Sequence, residues 1–197
     1  MKRKLILASQ SPRRKELLEL AELQFETHAA DVDETFDAAE PLRDELRRLA
    51  LKKARAVEKV HPGCIVLGAD TTVVLDDVIL GKPANQDDAR KMLKSLSGRK
   101  HEVMTSCALC CQNHEITWIN TAEVEFYELS DDLIEWYIST NEPMDKAGAY
   151  GIQGKGALLV KGIQGDFYTV MGLPIADTVR KLSDFEKEME SYEKEKR

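Results

Sequence analysis

The chain has 197 residues, 43% of them hydrophobic and 32% charged, with a formal net charge of −7 at pH 7. That balance suits a soluble globular protein with one sizeable core or two closely packed lobes, and it excludes disordered and fibrous classes. The negative charge argues against nucleic-acid and anionic-membrane partners, so a basic cluster in this chain reads as a focused pocket for a small anion.

The chain is expected to be cytoplasmic. No apolar run approaches membrane-spanning length, and Met1-Lys2-Arg3-Lys4 is followed by too few apolar residues before Ser9 to form a signal peptide. Leu5 to Ala8 reads as a short buried strand. Ser9-Gln10-Ser11-Pro12-Arg13-Arg14 then forms a strand-to-helix turn, with Pro12 suited to the first helical position and Leu17, Leu18 and Ala21 continuing the apolar stripe. Arginine in a first turn opposes the helix dipole, whereas a bound phosphate reverses that sign, so the turn is a candidate anion cradle. The plainer alternative is that Ser11 caps the helix and the arginines are solvated.

Asp31, Asp33 and Glu34 follow as an acidic cluster. Leu42 to Val60 has helical periodicity and sets Lys53 in the middle of its apolar stripe, either snorkelling to water or facing a phosphate. Cys64 to Ala69 is a buried strand ending in Asp70 and Thr71, where α/β sheets place ligands. A carboxylate there can hold a divalent cation or take a proton from water, though an Asp-Thr pair can equally cap a turn. Thr72 to Leu80 reads as a hairpin turning at Asp76-Asp77, followed by Gly81-Lys82-Pro83 and a helix from Gln86 to Leu96 capped by Asn85.

Two long strands span Glu102 to Tyr127, turning near Asn113-His114. Cys107, Cys110 and Cys111 lie on the first of them, where residues three apart face opposite sides, so core thiols are favoured over zinc ligands. A helix covers Ser130 to Thr140. The glycine-rich run from Glu142 to Gly154 carries Gln153, whose amide both donates and accepts, as reading a pyrimidine edge requires. Ala157 to Lys161 is a short strand, and Pro174 starts a last helix running into a charged end over 186–197 that is solvated or frayed. The mixture gives a single α/β unit over 1–197 with a long, twisted mixed sheet flanked by helices.

S-Q-S-P-R-R at 9–14, V-D-E at 32–34, L-A-L-K-K-A at 49–54 and G-A-D-T-T-V at 68–73 occur together with G-K-P at 81–83 and S-G-R-K-H-E-V at 97–103. D-K-A-G-A-Y-G-I-Q-G at 145–154 and G-L-P at 172–174 complete the order. This series resembles the Maf family of nucleoside triphosphate pyrophosphatases from Leu5 to about Leu182. The resemblance implies an elongated fold related to inosine triphosphate pyrophosphatases, two lobes around a cleft, and a homodimer. It also implies hydrolysis of a nucleoside triphosphate to monophosphate and pyrophosphate with Mg²⁺ or Mn²⁺. Arg13, Thr71 and Gln153 match the branch preferring dTTP and UTP, and modified pyrimidine nucleotides stay open as substrates. Thr169 departs from the asparagine that many members carry.

On this reading Ser9, Ser11, Arg14, Lys53 and Lys82 bind phosphate, and Arg13, Thr71 and Gln153 select the base. Asp70 is the expected general base, with Glu34 and Asp70 as metal ligands. The two roles of Asp70 compete, because direct coordination makes a carboxylate a poorer base. The alternative function is a nucleotide-binding regulator of cell division and septum formation with little turnover.

Overall fold

The computed structural model describes residues 3–37 and 39–195. Seven strands form one mixed sheet: β1 (Leu5–Leu7), β2 (Phe25–Thr27), β3 (Ile65–Leu75), β4 (Val78–Leu80), β5 (Lys100–Cys111), β6 (His114–Phe126) and β7 (Val160–Gln164). Their order is β2-β1-β3-β5-β6-β7, with β4 paired to β3. The helices are α1 (Pro12–Leu20), α2 (Leu42–Glu58), α3 (Gln86–Leu96), α4 (Asp131–Ser139), α5 (Phe167–Met171) and α6 (Ile175–Glu195). Three short 3₁₀ turns lie between α4 and β7, at Glu142–Asp145, Ala147–Ala149 and Gly154–Leu158.

The chain packs as two compact units. The first takes the segments up to Asp70, Thr105–Ile119, and from Gly172 onward; the second takes Thr71–Met104 and Asn120–Met171. In the first unit β1 pairs in parallel with both β2 and β3, in the register Leu7↔Thr27 and Leu7↔Leu67. Its core includes Ile6, Ala50, Ala54, Val57, Val66 and Cys110. The small alanines of α2 allow its backbone to lie close against the sheet. The second unit has a more aromatic core around Val73, Leu93, Phe126, Tyr137 and Tyr150.

Several elements differ from the sequence expectation. The strand expected to end at Ala69 continues through Asp70 and Thr71 to Leu75, because Thr72, Val73 and Val74 are buried and β-branched. Asp70 is therefore a mid-strand residue. The two-residue turn at Asp76-Asp77 has positive φ at both positions, 49° and 63°, as a tight hairpin demands. The strand expected at Ala157–Lys161 begins only at Val160, since Gly154–Leu158 forms a 3₁₀ turn. The helix α6 extends to Glu195, taking in most of the charged end expected over 186–197, of which residues 196 and 197 lie outside the described residues.

Candidate active site

Because β1, β2 and β3 are parallel, each releases or continues its chain toward the same end of the first unit. The serine-arginine turn leaves β1 there, the acidic loop leaves β2, and Asp70 lies three residues beyond the last β1 pairing on β3. Strand order reverses about β1, since β2 lies on one side and β3 on the other. Such a switch point opens a crevice at the strand carboxyl ends.

Gly68 brings α2 to Asp70. A Cβ on Gly68 would stand 2.2 Å from the Ala50 carbonyl oxygen and 2.9 Å from the Ala54 nitrogen, so only glycine admits the helix backbone at this distance. Two residues on, and hence on the same face of β3, Asp70 accepts a bond from Lys53 Nζ at 2.5 Å. The same ammonium lies 2.9 Å from Glu34, whose side chain is about half exposed. Lys53 itself is 7% exposed, so of the two readings its sequence position allowed, snorkelling to water does not apply.

The loop carrying Glu34 is tied to successive turns of α2. Lys52 Nζ donates to the Asp33 carbonyl at 2.7 Å, and Arg48 Nη2 donates to the Thr35 carbonyl at 3.1 Å. Glu45, buried beneath, accepts from the Asp37 N–H at 2.9 Å and from Arg48, and these contacts pull its pKa down to about 2. The positions 45, 48 and 52 share one helix face, a pattern open to reading in sequence but masked there by a run of ordinary surface charges.

At the serine-arginine turn, Ser9 Oγ accepts from the Ser11 N–H at 3.1 Å and from Arg14 Nη1 at 3.2 Å. Arg14 Nε donates to the Gly172 carbonyl at 2.8 Å, which gives the G-L-P segment a role that its sequence alone does not disclose. Ser11 occupies the N-cap position of α1 but makes no side-chain capping bond. Burial lowers the pKa of the Arg14 guanidinium, while Asp70 and Glu34 nearby oppose that shift. Arg13, Arg14 and Lys53 against Glu34 and Asp70 leave this cluster with a positive balance, as an anion site requires.

Cys107, Cys110 and Cys111 are core residues. Cys110 packs beneath α2, whereas Cys107 bonds to Thr178 of α6 on the other face, and burial pushes both thiols up to about 12. Thiols on opposite faces of one strand cannot share an ion.

In the second unit, the turn carrying exposed Lys82 is tied to the glycine-rich run, the Gly148 N–H donating to the Gly81 carbonyl at 3.0 Å. Gly148 has φ +67° and its Cα lies against Val73, where a Cβ would come within 3.0 Å of both methyls. Gln153, in the same run, and Thr71, on β3, are both half-buried. The first unit thus assembles Ser9, Ser11, Arg13, Arg14, Glu34, Lys53 and Asp70, and the second contains Thr71, Lys82 and Gln153.

The family model described as Maf-like protein matches residues 4–185. The chain belongs to the Maf family. Among its Maf relatives, a protein of Bacillus cytotoxicus named dTTP/UTP pyrophosphatase is 53% identical over 184 residues, covering 93% of this chain and 96% of its own. A protein of the same name from Bacillus mycoides (strain KBAB4) is 50% identical over 187 residues, covering 95% and 98%. Among solved structures, the Ham1 protein of Staphylococcus aureus is 13% identical with a TM-score of 0.47, covering 63% of this chain and 72% of its own.

The carboxylates of Glu34 and Asp70 meet at one ammonium and offer hard oxygen donors of the kind Mg²⁺ and Mn²⁺ accept. Among the described residues no three His, Cys, Asp or Glu side chains gather into a complete metal cage. Two carboxylates with substrate phosphates completing the shell is an ordinary arrangement for Mg²⁺, so the residues fit such an ion.

Proposed function

We propose that this Maf family member is a nucleoside triphosphate pyrophosphatase that hydrolyses dTTP and UTP to the monophosphate and pyrophosphate. The observation that carries the reading is the meeting of Glu34 and Asp70 at buried Lys53, beside the guanidinium of Arg14. The names and roughly half-identical sequences of its relatives support the substrate class.

In this reading Asp70 accepts a proton from the water that attacks the α phosphorus. The bond to the α,β-bridging oxygen breaks, pyrophosphate departs with the bonding electrons, and the monophosphate keeps the water oxygen. Lys53 orients the Asp70 carboxylate and, with Ser9, Ser11, Arg14 and Lys82, offsets charge on the phosphates. With Asp70 taking the proton, Glu34 would hold the divalent cation, which when bound polarises phosphoryl oxygens. Arg13, Thr71 and Gln153 select the pyrimidine. We place the enzyme in the cytoplasm as a homodimer; no helix among the described residues is long and apolar enough to cross a membrane.

A nucleotide-binding regulator without turnover has no need of a carboxylate locked against a buried lysine. The test is pyrophosphate release from dTTP, UTP, CTP and 7-methyl-GTP, with and without Mg²⁺ or Mn²⁺, by wild type and Asp70→Asn. Turnover of dTTP and UTP that needs both the metal and Asp70 is expected. Tight dTTP binding without pyrophosphate release would sink the proposal.

A further inference from the structure

Gln153 sits in a six-residue stretch, Gly151 to Gly156, whose two ends are gripped by side chains that the proposed reaction does not use. At the leading end the Gly151 N–H donates to Tyr137 Oη at 3.1 Å. At the trailing end Gly156 packs so tightly that a Cβ would stand 2.8 Å from the same Tyr137 oxygen and 2.1 Å from the Gly151 carbonyl oxygen. One fully buried hydroxyl therefore closes the base of the loop. Closer to Gln153, the Lys155 N–H donates to both oxygens of Glu142, at 3.1 and 3.3 Å. Gly154, with φ +65°, leaves room for that carboxylate, since a Cβ would come within 2.8 Å of Glu142 Oε1.

Tyr137 belongs to α4, and Glu142 opens the 3₁₀ turn that follows it. Both grips thus come from residues 137–142, and Gln153 lies in sequence between the positions they hold, Gly151 and Lys155. An amide reads a base edge only if its donor and acceptor are held in place; a loop free to shift by an ångström presents either to the wrong base.

We propose that Tyr137 and Glu142 are positioning residues for Gln153, and that they set base selectivity without touching the nucleotide. The proposal rests on the reading of Gln153 as the residue that selects the pyrimidine.

The experiment measures kcat/KM for dTTP and for CTP in Tyr137→Phe, Glu142→Ala, Glu142→Gln and Gln153→Ala, with thermal melting to verify folding. Tyr137→Phe and Glu142→Ala are each expected to lower the dTTP-to-CTP ratio by about tenfold, mostly through KM for dTTP. Glu142→Gln retains an acceptor oxygen for the Lys155 N–H and is expected to return the ratio to about the wild-type value. A fall in equal proportion for both nucleotides, or no change in the ratio, overturns the proposal. If Gln153→Ala collapses the ratio while the other variants preserve it, the positioning role fails and the reading of Gln153 stands. If Gln153→Ala leaves the ratio intact, both fall. Should Tyr137→Phe not fold, the contrast between Glu142→Ala and Glu142→Gln decides.

Discussion

The two units solve opposite problems with opposite materials. In the first, ionised side chains are drawn together: Lys53 lies between Glu34 and Asp70, and Glu45, Arg48 and Lys52 strap down the loop that carries Glu34. In the second, a loop of little side-chain bulk is held through its backbone N–H groups by the Tyr137 hydroxyl and the Glu142 carboxylate, beside a core rich in aromatic rings. Tyr137 grips Gly151, and His101 bonds Tyr150 Oη through Nε2 at 2.7 Å with Phe126 packed edge-on against both rings. Charge clusters suit phosphate chemistry, which needs fields. A braced backbone suits recognition of a base, which needs shape.

The largest expected effect lies in the charge cluster. Asp70→Asn removes the proton acceptor while preserving volume, and kcat for dTTP should drop by about 10³-fold in steady-state pyrophosphate release, measured below the variant's own melting temperature. Comparable activity in the variant would move the chemistry away from this unit.

Next comes Gly68→Ala. The new methyl would collide with backbone of α2, which unlike a flexible side chain cannot move aside, so a loss of about 3 kcal/mol is expected in urea denaturation. Activity should fall with it, because the helix that retreats carries Lys53. A variant as stable and active as wild type would show that close approach of α2 does not build the site.

The contrast between the units also has a pH signature. His101 is 3% exposed, and burial pulls its pKa down to about 4 from an ordinary 6.5. The folded state therefore binds fewer protons than the unfolded one between those values. Stability is untouched above about pH 6.5, falls as the pH drops toward 4, and levels off below it, for a total of about 3 kcal/mol. Glu45, held down to about 2, adds its own loss in the first unit only at lower pH, below the ordinary carboxylate range near 4.5. Melting temperatures from pH 7.5 to 4 should thus decline less steeply in His101→Gln than in wild type, and equal slopes would remove His101 as the cause.

Much of the fold and of the charge cluster was legible in the chain itself, and the failures have physical reasons. The helices α2 and α3 follow their apolar periodicity, and the ends of α3 coincide with expectation because Asn85 caps it through the Asp88 N–H at 2.9 Å. Lys53 stood out as a cation in an apolar stripe, and Asp70 as a carboxylate on a buried strand. Partnership was not legible: nothing local in Gly68 says that it faces Ala50, and nothing in Gly172 says that its carbonyl meets Arg14. The three-residue strand β2 lacks a periodicity long enough to read. The 3₁₀ turns between Glu142 and Leu158 depend on glycines and on tertiary grips such as Tyr137, so their sequence looks like open loop.

The smallest effect separates function from architecture most cleanly. Ser130 and Asn85 each cap a helix of the second unit through a side-chain oxygen, and Ala at either site should cost about 1 kcal/mol of stability with kcat/KM for dTTP unchanged. Ser11 occupies the same position on α1 of the first unit yet makes no such bond. Its hydroxyl has no capping energy to lose, so Ser11→Ala should shift stability by less than about 0.5 kcal/mol in urea denaturation. If the hydroxyl serves the phosphates, KM for dTTP should nonetheless rise by about ten- to a hundredfold, the worth of one hydrogen bond to a charged group. The reverse pattern, lost stability with an unaltered KM, would return Ser11 to an ordinary helix cap and leave Ser9 and Arg14 as the anion-binding part of the turn.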